Sequence, residues 1–477
     1  MEHCLKQLST PFGDYFFDVW TRTLYYLSNQ TLLGLTENAC SNDRMGGDCV
    51  KDGFVDYLTK QGFEFGEAPS EIKFPNTDGV VRRLGRGLNL MILQITQQCN
   101  LRCDYCIYSE SSKFNRSHSN KTMSFETAKA SIDYFHDHSI DAPQVTIGFY
   151  GGEPFLRFDF MKDVMEYADK IFEGKAVSYH VTSNGTLMSS EAMDFLIENR
   201  EKLHLLLSLD GPRSIQDSSR RYPDGRGTYN TVISNIKEII KRCPEYKKNL
   251  RFNAVVDTKK EYAALSELSQ EKVLSDSFFQ FNYVEIDGTT SDFDEGFVSE
   301  HEYDVFLGFV AYYRDGRNGY PNKLIEHEFR HVSEGMRRFA PNSAATVSVP
   351  SGICQPGLTR LFVTTDGNMF PCERVSENSS CMSIGRIPKG IDTNKVSNLL
   401  NICKLCEERC LSCWAYSLCS VCAKRFDGGE TLSTEKLEKA CRLSKREAFD
   451  RVEQKIIQFE YDQHQIKLHS VQFAKMA

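Results

Sequence analysis

From residue 88 to about residue 320 the chain alternates between two hydrophobic periods. Short apolar or alternating runs fall at Leu88–Thr96, Gln144–Tyr150, Ser178–Thr182, His204–Leu209, Leu250–Val256 and Phe278–Val284. Their length and their β-branched and aromatic content predict strands. Between them, apolar residues recur at helical spacing over Phe125–His136, Phe160–Ile171, Ala192–Asn199 and Thr231–Arg242. Repeated strand–helix units predict an α/β fold with a parallel sheet and right-handed crossovers. Six such units are too few to close an eight-stranded barrel.

The flanks carry other patterns. Tyr15–Trp20 and Thr23–Leu27 are aromatic and β-branched enough to pair as strands. Val50–Gln61 has helical spacing, with Phe54, Val55, Tyr57 and Leu58 on one face and Gly62 to end it. Glu67–Gly87, with Pro69, Pro75, Gly79, Gly85 and Gly87, has the composition of a linker. This N-terminal stretch is either a cap on the barrel or a small clamp whose strand edge takes up an extended peptide by strand addition. In the tail, Arg360–Thr364 and Asn368–Phe370 flank Asp366-Gly367, a hairpin signal. The expected division is 1–85 for the N-terminal module and linker, 86–325 for the barrel, 326–450 for a cysteine-rich domain and 451–477 for a C-terminal helix.

Composition narrows the classes. A hydrophobic content of 40% and a charged content of 26% are ordinary for a globular protein. The net charge of −8 argues against a general nucleic-acid binder. No apolar run approaches the length of a transmembrane helix, so no membrane association is expected. Met1-Glu2-His3-Cys4 lacks the basic and apolar regions of a secretory signal. The 17 cysteines therefore point to metal sites in a reducing, cytoplasmic setting and not to disulfides. Cys4, Cys40, Cys49 and Cys243 read as ordinary small residues. The acidic run Asp287–Glu302 is either a solvated loop or the lining of a substrate path.

The densest chemistry follows the first strand. Ile95-Thr96-Gln97-Gln98-Cys99-Asn100-Leu101-Arg102-Cys103-Asp104-Tyr105-Cys106 has the spacing C-x3-C-x2-C. Structural zinc usually takes four ligands in two pairs, and here only three thiols lie together. Three thiolates can hold three irons of a [4Fe–4S] cluster and leave the fourth open to a chelating molecule. Downstream strand ends carry Gly151-Gly152-Glu153-Pro154, Thr182-Ser183-Asn184-Gly185, Ser208-Leu209-Asp210-Gly211-Pro212 and Asp217-x-x-Arg220. At the C-terminal ends of barrel strands such polar groups share one mouth. Each motif also has a plainer reading as turn chemistry.

This set resembles the radical S-adenosylmethionine (SAM) enzymes, down to the C-N-L-R-C-x-Y-C wording. The resemblance implies an open (β/α)6 partial barrel in which Cys99, Cys103 and Cys106 hold the SAM-binding cluster. It further implies that Gly151, Gly152, Glu153 and Pro154 hold the SAM amino group. Ser183, Asn184, Ser208 and Asp210 would approach its ribose and carboxylate. Arg220, or its neighbour Arg221, would pair with the carboxylate. The reduced cluster would split SAM into methionine and a 5′-deoxyadenosyl radical that removes a hydrogen atom from carbon. That step needs no general base, and no catalytic side chain is assigned beyond the cluster and SAM.

The tail resembles the SPASM domain, which binds two auxiliary [4Fe–4S] clusters, making three in all. The pattern is Cys354, Gly367-x4-Cys372, then Cys410-x2-Cys413-x5-Cys419-x2-Cys422, then Cys441. The family's last short step is usually x3. Carried across, Cys410, Cys413, Cys419 and Cys441 would ligate the outer cluster, and Cys354, Cys372 and Cys422 the inner one. No cysteine lies within Gln355–Leu361, so an inner iron stays open to a substrate thiolate unless Cys381, Cys403 or Cys406 reaches it.

With 98 residues ahead of the first cluster cysteine, the resemblance favours a maturase of ribosomally made peptides over an anaerobic sulfatase-maturating enzyme. Such a maturase binds a leader peptide on a winged-helix-like module and forms thioether crosslinks of the sactipeptide or ranthipeptide type. Reduced flavodoxin or ferredoxin would be the electron donor. Carbon–carbon crosslinking and formylglycine formation are the alternatives. A non-catalytic iron–sulfur carrier would need neither the G-G-E-P nor the S-L-D-G motif.

Overall fold

The computed structural model describes residues 5–28, 55–108, 116–314, 319–338 and 346–476, apart from positions 12, 63, 64, 76, 269, 270, 276, 287, 288, 291 and 292. Cys4, Cys40, Cys49, the start of the helix expected at Val50 and the acidic residues Asp287 and Asp292 lie outside the described residues.

Six strands run in chain order across one sheet: Leu90–Thr96, Gln144–Gly151, Ala176–Ser183, Leu203–Ser208, Leu250–Val256 and Phe278–Tyr283. All are parallel to their neighbours. The protein thus has the expected α/β architecture with a parallel-sheet core. Helices Phe125–Asp137, Phe158–Ile171, Ser190–Glu198 and Tyr229–Arg242 fall between these strands, within a few residues of their expected bounds. Ser124 and Ser189 cap two of them, accepting from Thr127 N and Ala192 N.

Strand alternation separates two environments. Met91, Leu93, Ile95, Val145, Ile147 and Phe149 are almost wholly buried and join one continuous core with Ile132, Phe135, Val164, Ala168, Ile236 and Ile239 from the helices. The alternate positions are more polar. They include Gln94, His180 and His204, whose rings lie 5.3 Å apart, and Asn253, which accepts from Asn282 at 2.9 Å.

The tail does not form a separate sheet. Arg360–Val363 pairs in parallel with Leu90–Thr96, on the edge that six strands leave open. Asn368–Phe370 then turns back against it through Gly367, whose φ is +81°, and two further short strands extend the sheet to ten. Glu285, just past the sixth strand, pairs with Arg425 at 2.8 Å and with Lys424, so the tail is fastened to both sides of the barrel.

At the N-terminus, Leu5–Thr10, Gly13–Asp18 and Thr23–Ser28 form an antiparallel sheet. The first of these has no counterpart in the expected elements, and the second starts two residues before the expected run. A helix over 55–60 follows and ends at Gly62, with φ +84°. The sheet rests on the terminal helix: Tyr15 Oη donates to Glu460 at 3.0 Å and stacks edge-on to Phe459. That helix spans Leu437–Met476, starting well before residue 451, and helix Lys323–Arg338 crosses the border expected near 325. No helix among the described residues is long and apolar enough to cross a membrane.

Candidate functional site

The cysteine loop leaves the end of the first barrel strand. Arg102-Cys103 pairs antiparallel with Arg220-Arg221, and Cys106 N donates to Cys103 O at 3.1 Å. Leu101 N points at Cys99 Sγ, 3.4 Å away. All three thiols are free. Burial pushes Cys99 up to about 11 and Cys103 up to about 12, and raises Cys106 as well. Burial outweighs the nearby Arg220 charge, which works the other way; a metal centre would displace the thiol protons.

The strand ends around this loop hold one another. Gly151 has φ +136°, and a Cβ there would meet Thr96 O at 2.0 Å. A Cβ on Gly152 would meet Gln98 O at 1.8 Å. The glycines are therefore needed for the approach of the cysteine loop itself. Glu153 is fully buried; its Oε1 accepts from Phe155 N at 3.0 Å and Ser183 Oγ at 2.9 Å, and its Oε2 from Asn184 N at 2.7 Å. Three protein donors leave this carboxylate about one acceptor position for a ligand ammonium. Pro154 opens the short helix that Glu153 caps. Asn184 Nδ2 donates to Asn100 Oδ1 at 2.8 Å and faces Cys99 Sγ at 4.0 Å.

On the far side, Ser208 is buried at the end of the fourth strand, opposite Asn253. Asp210 is buried two residues on, accepting from Val255 N at 3.1 Å and from the Tyr105 hydroxyl. Arg220 Nη1 donates to the same Tyr105 oxygen at 2.6 Å and lies 3.8 Å from Asp210. Burial raises Asp210, and the Arg220 charge opposes that. Arg220 Nε is buried with no partner. Arg221 turns outward to Asp104 at 3.0 Å, so of the two neighbouring arginines Arg220 faces the site. Asp217 accepts from Thr228 N and Tyr229 N at 2.7 and 2.8 Å, a helix-starting role.

Three thiols beside an unpartnered buried guanidinium nitrogen make a coherent donor set for an iron–sulfur cluster with an anionic chelator. The residues present fit SAM and its cluster. Arg220 Nε is a buried donor free to meet a carboxylate.

The tail sorts its thiols into two groups. Cys354 is the one exposed residue among the described cysteines. Desolvation pushes it up to about 12, and the neighbouring Cys372 and Cys422 add to the rise. The hairpin does bring Cys372 to Cys354. Cys419 lies by Cys413 and Cys441, Cys441 by Cys413 and Cys406, and Cys410 by Cys419. Cys403, Cys406 and Cys410 bring their sulfurs within 4.8 Å of one another. Cys403 and Cys406 thus lie with Cys410 and do not reach the inner group. Cys381 faces Ser379 Oγ at 3.3 Å and Asp427 at 3.6 Å.

Residues 93–253 match the family model of the radical SAM superfamily. The chain carries a radical SAM domain. Its relatives include the serine-type anaerobic sulfatase-maturating enzyme of Bacteroides thetaiotaomicron, 30% identical over 33% of this chain and 38% of that enzyme. The cysteine-type enzyme of Clostridium perfringens is 24% identical over 75% of this chain and 94% of its own length. The first three curated relatives are matched over only 38–44% of their lengths. Among solved structures, native anSMEcpe with bound AdoMet and Cp18Cys peptide superposes with a TM-score of 0.58 at 22% identity, covering 78% of this chain and 98% of that one. At that identity the likeness establishes the fold.

Around the radical SAM domain the structure adds residues that sequence reasoning passed over. Tyr105 and Asn100 lie inside the cysteine motif, so their position was itself a signal. Glu377 has none: it comes from the tail and meets Arg116 at 3.0 Å, Gln97 at 3.4 Å and Gln94 inside the barrel. Glu373 follows Cys372 directly; its Oε2 is buried without a partner while Arg360 approaches its Oε1 at 3.5 Å.

Proposed function

We propose that this protein is a radical SAM maturase of a ribosomally made peptide, joining a cysteine sulfur of that peptide to a carbon as a thioether. The observation that carries the reading is the inner group: Cys354, Cys372 and Cys422 are near one another, and the other candidate thiols face elsewhere. Three thiolates leave an auxiliary cluster one position for a sulfur from outside.

In this reading Cys99, Cys103 and Cys106 hold the SAM-binding cluster. Cys354, Cys372 and Cys422 hold the inner auxiliary cluster, and the outer group around Cys413, Cys419 and Cys441 holds the second. The bound cofactor supplies a carbon radical that abstracts hydrogen. The chain's own residues orient and enclose it. Arg220 fixes the SAM carboxylate, Asp210 and Tyr105 hold Arg220 in place, and Gly151, Gly152, Glu153 and Pro154 shape the wall beside the amino group. Ser183 and Ser208 close the mouth against water, with Asn184 beside Cys99. Glu373, with one free carboxylate oxygen, is the group to accept the proton of an incoming thiol. The leader segment would add to an edge of the N-terminal sheet, Leu5–Thr10 or Thr23–Ser28. Reduced flavodoxin or ferredoxin would supply electrons. The relatives' activity favours a second reading, oxidation of a peptide Cys or Ser to formylglycine.

The test is anaerobic incubation of the reconstituted protein with SAM, dithionite and cysteine-bearing leader peptides. A loss of two hydrogens per crosslink, with the cysteine no longer alkylated, supports thioether formation. A formylglycine mass change in a sulfatase peptide moves the assignment to the second reading. Absence of 5′-deoxyadenosine under any reductant removes both.

A further inference from the structure

The triad Cys403–Cys406–Cys410 differs in geometry from every other cysteine group among the described residues. Its three sulfurs lie within 4.8 Å of one another, and Cys406 Sγ is 3.6 Å from Cys410 Sγ. A single tetrahedral ion with metal–sulfur bonds of about 2.3 Å sets its ligand sulfurs about 3.8 Å apart. A cubane spreads its cysteine sulfurs much more widely, roughly 6 Å, because each caps a different iron. The triad has the first spacing. Cys99, Cys103 and Cys106 do not meet the tighter limit, nor do Cys354, Cys372 and Cys422.

The local backbone explains the closeness. Cys403 and Cys406 lie on the short 3-10 helix Ile402–Cys406, and Cys410 lies one turn on, in helix Glu407–Leu411. Residues 406 and 410 are four apart and face the same way. Cys403 is buried, and none of the three is in a disulfide. Elements this short are marginal on their own and depend on tertiary support. Yet the segment is a junction: Glu407 accepts from Ile72 N at 3.0 Å, Asn401 from Phe74 N at 2.8 Å, and Lys404 pairs with Glu71 at 2.8 Å. A metal ion here would lock the connection between the N-terminal linker and the tail.

We propose that Cys403, Cys406 and Cys410 bind one mononuclear divalent ion of the zinc class, separate from the iron–sulfur clusters, with the fourth position filled from outside the triad. Cys410 then leaves the outer cluster set, which keeps Cys413, Cys419 and Cys441. The assignment does not depend on the thioether reading.

The experiment measures metals in the full-length protein, reconstituted with iron and sulfide after growth with zinc. The expected result is one zinc per chain, resistant to EDTA, whose K-edge absorption shows a sulfur shell at about 2.3 Å. The double variant Cys403→Ser/Cys406→Ser loses that zinc and keeps wild-type iron and SAM cleavage. Wild-type protein without zinc, or zinc with only nitrogen and oxygen neighbours, overturns the proposal. So does a variant that loses iron and keeps zinc, because the two thiols would then serve a cluster. The absorption measurement on wild type decides the matter even if the variant does not fold. A failure here leaves the SAM-cleavage and peptide-mass results of the thioether test untouched.

Discussion

The barrel loop and the tail triad carry the same three thiols in reversed spacing. Cys99-x3-Cys103-x2-Cys106 reads in the opposite order to Cys403-x2-Cys406-x3-Cys410. Their geometries are also opposite. In the barrel the chain is held open by a two-residue ladder to Arg220-Arg221, and the sulfurs stand apart. In the tail the reversed spacing is wound into helical turns, and the sulfurs converge. Cysteine spacing alone therefore does not name the metal; the backbone beneath it decides whether the thiols suit a cluster or one ion. The surroundings differ as well. The barrel thiols feel a buried guanidinium, whereas the triad is flanked by the solvent-facing ion pair of Lys404 and Glu71.

This contrast is broken most severely at the cysteines. Cys103→Ala should lower 5′-deoxyadenosine formation by about a thousandfold or more, followed by chromatography of the products, because a barrier change of about 4 kcal/mol is the least expected from losing a cluster ligand. Cys403→Ala should leave that rate within about twofold. Similar losses from both would erase the distinction. Next in size is Arg220→Met, which removes the buried guanidinium proposed to hold the SAM carboxylate and leaves Asp210 buried without its charge partner. We expect the SAM requirement to rise roughly a hundredfold, in line with about 2–3 kcal/mol for a charge-assisted hydrogen bond. Arg221→Met, at an exposed pair, should change it by less than about twofold.

Cys354→Ser tests the division of labour within the tail. SAM cleavage should persist at about the wild-type rate while the two-hydrogen mass loss of the peptide disappears; equal loss of both would merge the inner group with the barrel site. Gly152→Ala probes how tightly the cysteine loop is pressed on its neighbour. With Gln98 O only 1.8 Å from the added Cβ, we expect about 2–4 kcal/mol of lost stability in denaturant melts. Gly174→Ala, with open space around it, should cost about 1 kcal/mol through its positive φ alone.

The smallest effect lies away from both regions. His301 is buried against its charge, but its hydrogen bond to Glu328 at 3.0 Å and that residue's charge prevail and raise it above the usual histidine value. Its contribution is complete below the ordinary histidine pKa and is lost as pH rises through the raised one. Glu328→Gln should therefore cost under about 1 kcal/mol near pH 6 and nothing by pH 9. A cost that grows with pH would mean that the pair does not titrate as described.

Much of the barrel was legible because its signals are local. Leu250–Val256 and the helices after the first, second, third and fourth strands announce themselves by period, and turn glycines mark where strands meet the site. What escaped was set by distance. Arg360–Val363 is a hairpin strand in its own neighbourhood; nothing local says that it pairs with Leu90–Thr96. Arg116 and Glu377 are 261 residues apart, and each alone is an ordinary polar residue. Leu5–Thr10 has only two apolar positions and reads as a polar stretch until Gly13–Asp18 pairs with it. The cysteines were found from the sequence, but not their grouping, since which thiols meet depends on folds made of turns too short to show a period.

The ten-strand sheet has a mechanical consequence. A hinge needs a place where backbone hydrogen bonds can be given up cheaply, and none exists between the barrel and the hairpin that carries Cys372. The barrel strand that leads into the cysteine loop and the hairpin that carries Cys372 must move as one body, so the distance between their thiols is held fixed. Gating of the mouth then falls to side chains and loops, not to domain closure.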